Sequence, residues 1–567
     1  MLEILATCRD VGKNAGMETV ARHRTAMART FLSRPVQQAL NDGVIAPGRT
    51  VFDYGCGRGG DLRQLRSLGY DAAGWDPAHA SNEARVPADV VNLGFVINVI
   101  ENTAERIETL RHAWALAKDT LVVAARLDWE QASVGGRSFR DGIMTSTGTF
   151  QKFYSQDNLR ATIDSVLGVS CVAAAPGIFY VFRHEGSSQE LLARHVREGG
   201  RPKIGLIDLI YQQNLNLFRA MEKFLDDHRR LPDVQEFSEG PTIADTFGSI
   251  RAAFALLRRK LGPARWPDIG APVRKRSDAR FEENLPVLQP LIDFLTERGR
   301  LPRPGEIDGE PGLLESFGSA RAAYSLIRRV TGTDRWNAFE QRARTDFLVY
   351  LALAAFGGRA KVSDLPDHLQ ADVKDFFGNY KAACTAADEL LFRAGRRETI
   401  DEACKESPVG KLTSEALYVH VNTVPFLNPV LRVYEGCARA LTGTVQAATI
   451  LKMHRLKPQV SFLAYPEFET DPHPALHSSV ISRMQELRVD YRDFSRSLNP
   501  PILHRKDSFV ASDHAGREKF QRLTDQEDRA GLLGHNNIGT RNGWDEMLRE
   551  AGFVLNGHRL TKAKAIL

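Results

Sequence analysis

Between residues 48 and 183 short apolar runs alternate with amphipathic stretches, the pattern of an α/β domain with a largely parallel sheet. The apolar runs predict strands over 50–54, 71–75, 89–93 and 120–124. Between the last two, Ile107, Leu110, Trp114 and Ala117 recur at helical spacing and predict a helix over 103–117. A Pro176-Gly177 turn between 169–173 and 178–182 predicts an antiparallel hairpin on the sheet edge. Ahead of the domain, 19–40 reads as a basic helix with Arg22, His23, Arg24, Arg29 and Arg34, and the first ~16 residues show no pattern, as chain starts often do not.

Past a polar linker at 185–202 the pattern turns helical and repeats. Phe247-Gly248-Ser249-Ile250-Arg251-Ala252-Ala253 through Arg258-Arg259 recurs 70 residues later as Phe317-Gly318-Ser319-Ala320-Arg321-Ala322-Ala323 through Arg328-Arg329, nine of thirteen positions being identical. The same offset maps Leu231-Pro232 onto Leu301-Pro302 and Trp266 onto Trp336, so a whole unit is duplicated. A degenerate third copy starts at Phe377-Gly378-Asn379-Tyr380, after Leu365-Pro366. The expected organisation is an N-terminal helical segment (1–47), an α/β domain (48–185) and a helical repeat region (200–398, copies around 204–270, 274–340 and 344–395). A C-terminal region (400–567) of mixed α+β pattern follows, in which 457–465 reads as a strand, 474–487 as a helix and 499–509 as a basic extended segment.

Composition narrows this little. A chain of 567 residues, 43% hydrophobic and 26% charged, is long enough for several cored domains and is ordinary for a soluble protein. The balance of 75 Lys and Arg against 70 Asp and Glu leaves +5, too weak a field to indicate or exclude nucleic acid. Six cysteines without a Cys-x-x-Cys pair argue against a zinc ribbon, an iron–sulfur cluster and a disulfide framework, and fit a reducing cytoplasm. The longest apolar run, 347–356, falls short of the ~18 residues of a membrane span, and Glu3, Arg9 and Asp10 interrupt any signal-peptide core. A cytoplasmic protein with no membrane partner is expected.

The most informative stretch is Val51-Phe52-Asp53-Tyr54-Gly55-Cys56-Gly57-Arg58-Gly59-Gly60-Asp61-Leu62, an apolar strand that runs through glycines into a helix. Such a loop lets a ligand approach backbone N–H groups at a helix N-terminus. Gly55, Gly57 and Gly60 satisfy the dinucleotide fingerprint, whereas Gly55, Gly57 and Gly59 behind Asp53 satisfy the D-x-G-x-G-x-G loop of S-adenosylmethionine enzymes. Charge separates the two. A pyrophosphate would meet Asp53 before the loop and Asp61 after it, whereas the ammonium and sulfonium of S-adenosylmethionine are attracted by them. Asp76, in Gly74-Trp75-Asp76-Pro77, stands where an acid can accept ribose hydroxyls from either cofactor.

These residues resemble the class I S-adenosylmethionine-dependent methyltransferases over about 48–183, with Asp89-Val90-Val91-Asn92-Leu93-Gly94-Phe95 in the place of the fourth strand. The similarity is closer to the DNA phosphorothioation-associated methyltransferases, a bacterial family found with sulfur-modification and defence genes. It rests on Arg22-His23-Arg24-Thr25, Leu32-Ser33-Arg34-Pro35, the Phe52 to Gly57 loop, Gly74-Trp75-Asp76-Pro77, Val91-Asn92-Leu93-Gly94, Asn98-Val99-Ile100-Glu101 and Gly148-Thr149-Phe150-Gln151-Lys152-Phe153. Tyr465-Pro466 and Asn499-Pro500-Pro501-Ile502-Leu503-His504-Arg505-Lys506 add to it. The resemblance implies a Rossmann-like domain, S-adenosylmethionine held by Asp53, Gly55, Cys56, Gly57, Gly59, Asp76 and Asn92, methyl transfer, and a DNA-modification setting with DNA and proteins of such a system as partners. One departure is that only twelve residues separate Asp76 from Asp89, too few for the usual helix and third strand that wall the adenine pocket.

The methyl acceptor is open. Asn92 and Phe95 stand where amino methyltransferases place a substrate-binding amide and a stacking aromatic, but the intervening prolines are missing. The literal Asn499-Pro500-Pro501-Ile502 lies far downstream and lacks the aromatic, and Cys56 is a small residue in the glycine loop rather than a nucleophile. Arg137, Lys152 and Tyr154 follow the fifth strand, where a substrate-facing lid often lies. In the repeats Arg251, Arg258, Arg259, Arg328 and Arg329 offer phosphate contacts, and the Leu-Pro then Phe-Gly-Ser pattern weakly resembles the DNA-binding helical repeats that accompany homing endonucleases. In the C-terminal part Lys457, Arg496, His504, Arg505 and Lys506, among Phe462, Tyr465, Phe494 and Phe509, read as a nucleic-acid groove. His454, His473, His477, His504 and His514 raise a metal reading, but Pro472 and Pro474 break the helical face that His473 and His477 would share, so no metal is expected. Against the methyltransferase stands a DNA-binding accessory protein on a methyltransferase fold that has lost catalysis; an RNA methyltransferase is the third reading.

Overall fold

The computed structural model describes residues 20–197, 211, 214–262, 265–267, 269, 276–511 and 514–563, which form two compact units. The first comprises its residues up to His184 with 441–446 and 487–489; the second holds the rest.

The first unit is built on a six-stranded sheet. Its strands are β1 (Val51–Tyr54), β2 (Ala72–Trp75), β3 (Ala88–Gly94), β4 (Ala117–Ala124), β8 (Val172–Ala175) and β9 (Ile178–Phe182), and β5 (Gly136–Phe139), β6 (Gly142–Thr145) and β7 (Phe150–Gln151) make a separate antiparallel meander. The order is β2-β1-β3-β4-β9-β8, with β2, β1, β3 and β4 parallel and β9 antiparallel to both β4 and β8. β1 and β3 are buried along nearly their whole length because helices cover both faces, which is why they read as continuous apolar runs. The hairpin lies on the sheet edge as expected, its second strand at the residues anticipated. Helices α1 (Arg34–Asn41), α2 (Gly60–Ser67), α3 (Thr103–Leu116) and α4 (Gln156–Leu167) complete the unit. Phe52, Val91, Leu121 and Phe179 lie at the centre of its core. Residues 77–87 form neither helix nor strand, so β2 is the sheet edge and the usual third strand is missing.

Two expectations here are corrected. The basic helix over 19–40 is, from Val20 onward, one 3-10 turn (Arg22–Thr25), an extended stretch and then α1; Thr19 itself lies outside the described residues. Pro35 fixes the start of α1, where a missing N–H is no loss. The linker at 185–202 is helix α5 (Glu185–Arg197) as far as it is described, with Leu191 and Ala193 buried.

In the second unit the duplicated sequence corresponds to helix triplets. They are α6 (Leu215–His228), α7 (Gly240–Phe247) and α8 (Ile250–Leu261); then, after α9 (Arg276–Glu283), α10 (Leu285–Arg298), α11 (Glu310–Phe317) and α12 (Ala320–Thr331); then α13 (Asp334–Ala354), α14 (Asp367–Phe377) and α15 (Tyr380–Ala394). In each triplet the second helix ends in a glycine with positive φ (Gly248, Gly318, Gly378), and the next residue caps the third helix. Ser249 Oγ accepts from Ala252 N at 3.1 Å, Ser319 Oγ from Ala322 N at 3.1 Å and Asn379 Oδ1 from Ala382 N at 2.9 Å. In the first two triplets an Arg–Glu fork closes the Leu-Pro turn, Arg230 on Glu236 and Arg300 on Glu306. Trp266 and Trp336 are fully buried in one shared core.

After α16 (Arg397–Lys405) come β10 (Lys411–Leu412), β11 (Ala416–His420), α17 (Pro429–Thr442), β12 (Ile450–His454), β13 (Gln459–Ala464), β14 (Ser478–Arg483) and β15 (Arg488–Asp493), and these six strands form an antiparallel sheet in chain order. Helices α18 (Arg517–Arg529) and α19 (Arg541–Glu550) and the hairpin of β16 (Phe553–Leu555) and β17 (Leu560–Lys562) close the chain. The helix expected over 474–487 is β14 instead: Ser478-Ser479-Val480-Ile481 are weak helix formers that pack well on a pleated surface. Among the described residues no helix is long and apolar enough to cross a membrane.

Candidate cofactor site

The order of strands in the first unit reverses between β1 and β3, and a ligand crevice opens beyond the carboxyl ends of the strands at such a switch point. The glycine loop lies there. Gly55 (φ 86°), Gly57 (φ 53°) and Gly59 (φ 68°) all occupy the left-handed region, which other residues enter only with strain. Gly55 is further constrained because a Cβ on it would sit 2.5 Å from Val96 Cγ2. The loop is held by Gly55 N and Cys56 N, both donating to Trp75 O (2.7 and 3.1 Å), and it delivers the chain into α2.

Three carboxylates close on this loop. Asp53, at the end of β1, is 5% exposed and accepts from Asn92 Nδ2 at 2.8 Å. Burial, then the charge of Asp61, push its carboxyl up to about 7, with Asp76 adding to the rise and Asn92 and Arg29 opposing it. Asp61, in the first turn of α2, accepts from Ser33 N at 2.7 Å. Asp76, beyond β2, accepts from Gly57 N (3.0 Å) with Oδ2 and from Ala78 N and His79 N (both 2.9 Å) with Oδ1. Three of its roughly four lone pairs are thus occupied by backbone, leaving about one where a two-hydroxyl ribose clamp requires two.

Asn92, near the end of β3, has its side chain buried and Oδ1 without a hydrogen-bond partner. A buried acceptor left unpaired costs about 1–3 kcal/mol, so this oxygen marks a place for a donor. Phe95, two residues past Leu93, has φ 62°, a strained value for an aromatic residue, and its N–H is held by Ala124 O at 2.8 Å. The strain falls just past the end of β3, next to Val96 beside Gly55. Burial, then Asp53 and Asp76, push the Cys56 thiol up to about 12, which disfavours the thiolate a nucleophile needs.

One contributor escaped the sequence reading. Residues 20–33 form a strap across the loop: a Cβ on Gly57 would lie 3.2 Å from Ala26 Cβ, and one on Gly60 3.4 Å from Arg29. Its anchors are Ala21 N to Gly148 O (2.9 Å), a two-acid clamp of Arg22 on Glu101 and Glu105, and Ser33 N on Asp61. The small residues of the loop are therefore demanded as much by this strap as by a ligand. Met27 and Phe31 on the strap are 61% and 71% exposed.

The lid residues divide. Arg137 is exposed on β5, Lys152 is tied to Asp141 Oδ2 at 2.7 Å, and Tyr154, read as part of a substrate-facing lid, is buried against the core with Arg106 beside it. In the second unit, Arg259 pairs with Glu282, Arg258 Nη1 donates to Ile269 O at 3.4 Å and Arg328 Nη2 to Asn337 Oδ1 at 3.5 Å, whereas Arg329 is exposed. Arg505 forms a bidentate pair with Asp528 (2.8 and 2.7 Å). Lys506, read as a nucleic-acid contact, is corrected: it is 2% exposed, with Nζ donating to Phe468 O (2.7 Å) and Asp471 O (2.6 Å).

No family model matches the chain, and no curated protein does. Solved structures with a partial likeness include the Burkholderia thailandensis 1,6-didemethyltoxoflavin-N1-methyltransferase with bound 1,6-didemethyltoxoflavin and S-adenosylhomocysteine (12% identity, 29% of this chain and 78% of that one, TM-score 0.20). Another is the magnesium protoporphyrin IX methyltransferase of Synechocystis PCC 6803 with bound S-adenosylhomocysteine (15% identity, 29% and 93%, TM-score 0.19). At these values the function rests on the residues of the site.

Proposed function

We propose that the first unit binds S-adenosylmethionine and transfers its methyl group, with a nucleic acid of a DNA-modification system as acceptor. The observation that carries the first part is the closing of Asp53, Asp61 and Asp76 on three left-handed glycines beside the unpaired Asn92 Oδ1. A pyrophosphate is repelled by that set, whereas an ammonium is attracted by Asp53 and donates to Asn92 Oδ1. When bound, S-adenosylmethionine supplies an activated methyl group. The chain's part is to hold the donor on Asp53 and the loop, keep one Asp76 lone pair for a ribose hydroxyl, and align an acceptor past Phe95. Support for a nucleic acid is the resemblance above together with exposed Arg24 and Arg58 and the aromatic face of Phe31 at the rim of the loop.

Calorimetry with S-adenosylmethionine on the wild type and on Asp76→Ala tests the donor. Binding that weakens in the variant is expected, and no heat with the wild type overturns the reading. Transfer of labelled methyl to duplex DNA, single-stranded DNA and RNA then identifies the acceptor. A second reading, a DNA-binding accessory protein whose fold has lost catalysis, is favoured by the backbone bonds that occupy Asp76 and by the missing third strand. Donor binding with no transfer to any of the three acceptors would decide for it.

A further inference from the structure

Away from the glycine loop, the second unit brings together His473 (ahead of β14), His504 (ahead of the 3-10 turn Lys506–Ser508) and Glu527 (on α18). They are 1%, 9% and 1% exposed, and one donor atom from each lies within 4.8 Å of the other two. His504 Nε2 lies 2.7 Å from Ile538 O; as donor to that carbonyl it leaves its lone pair on Nδ1, which has no partner. His473 Nδ1 has none either. Glu527 Oε1 sits 2.8 Å from His473 Nε2, yet off the line of a hydrogen bond, so it too is unsatisfied. An unpaired polar atom on each of three residues in one buried cluster is costly in a purely hydrogen-bonded core and ordinary around a cation.

We propose that His473, His504 and Glu527 hold a divalent transition-metal ion of the zinc class, with a coordination position left for water or a substrate oxygen. Two imidazoles and one carboxylate suit such an ion and not Mg²⁺ or Ca²⁺, which prefer all-oxygen shells. The surroundings are those of a metal centre. Ile538 O fixes the tautomer of His504, and Arg541 Nη2 bonds both His473 O (3.1 Å) and Asp471 Oδ2 (3.0 Å), pinning the backbone that carries the ligand. Trp544 packs against both imidazoles in tilted and edge-on contact, its ring centroid 4.6 Å from each, and also lines a cleft of about 460 Å³ with Pro472, Arg541 and Asp545. Three protein ligands beside a cleft is the layout of sites that keep a position open. The spacing pair His473 and His477 is not this site, since His477 is exposed.

The test uses the untagged full chain, stripped with a chelator and titrated with Co²⁺ and Zn²⁺, with zinc counted by mass spectrometry. The expected result is one equivalent of metal, a visible cobalt spectrum of low coordination number and a higher melting temperature with Zn²⁺. Glu527→Gln and His504→Asn, checked for fold by circular dichroism, should weaken binding by more than ~10-fold, since loss of even an outer partner costs that much. His477→Ala and His514→Ala should keep the metal. Absence of bound metal in the wild type overturns the proposal, as does unchanged affinity in both folded triad variants. Should the triad variants not fold, loss of metal in His477→Ala or His514→Ala overturns it and retention in both supports it.

Discussion

Asp53 offers the sharpest test of the loop's purpose. Its carboxyl is held near 7 because burial and Asp61 oppose its charge, and a ligand ammonium would supply the missing counter-charge. Ligand binding then requires the ionised form, so the apparent affinity scales with the ionised fraction. That fraction is about one half at pH ~7, one tenth at pH ~6 and one hundredth at pH ~5, a loss of about 1.4 kcal/mol per pH unit. Above pH ~8 the affinity is flat. S-adenosylhomocysteine, which carries the same ammonium, serves as a stable ligand for calorimetry. Titrations in buffers of different ionisation enthalpy should count close to one proton released on binding at pH ~6 and almost none at pH ~8. In Asp53→Asn the affinity is lower and its pH slope vanishes. The ligand-free protein gives the complementary sign. The folded pKa lies above the ordinary 3.8, so the wild type loses stability from Asp53 as pH rises through 4 to 7, and Asp53→Asn does not. The variant should therefore gain on the wild type in melting temperature toward pH ~8. A wild-type affinity independent of pH over this range, or the same slope in Asp53→Asn, would refute the assignment of Asp53 as the ammonium's partner.

Other outcomes follow from packing. Gly55→Ala places a Cβ against Val96 at a left-handed φ, so it should lower the melting temperature, and adding Val96→Ala should restore only the steric part; full recovery would show that φ is not limiting. Ser249→Ala, Ser319→Ala and Asn379→Ala each remove one cap and should each cost about 1 kcal/mol in urea unfolding, and a null effect at all three would discount the caps. Asp346→Ala strands the buried Arg432, whose Nη1 lies 2.7 Å from Asp346 Oδ1, and should destabilise by about 3–5 kcal/mol; a loss under ~1 kcal/mol would mean that the guanidinium finds water.

Features governed by neighbouring residues were legible in the sequence. The glycine cluster, the Pro176-Gly177 hairpin and the Phe-Gly-Ser caps each depend on chemistry within a few positions, and the 70-residue recurrence of the caps exposed the duplication. The Arg-Leu-Pro turns with Glu six residues after the Arg carried a further readable signal, the Arg–Glu forks, which explains part of the repeats' basic content without nucleic acid. What depended on distant partners was not legible. The strap takes its conformation from Gly148, Glu101 and Asp61, so its own apolar spacing misled toward a helix. Lys506 read as a surface cation because nothing nearby in sequence announces that two carbonyls some 35 residues upstream enclose its ammonium. His473, His504 and Glu527 share no motif spacing and meet only through tertiary folding.

The strap separates two quantities that usually travel together. Under the function proposed above, the acids and Asn92 would set how tightly a ligand rests on the glycine loop, and the work of unlacing residues 20–33 from Glu101, Gly148 and Asp61 would set how fast it arrives and leaves. Loosening the Arg22 clamp would shorten residence time and speed loading while leaving the equilibrium little changed, so turnover would be governed by a stretch of chain that never touches the reacting atoms.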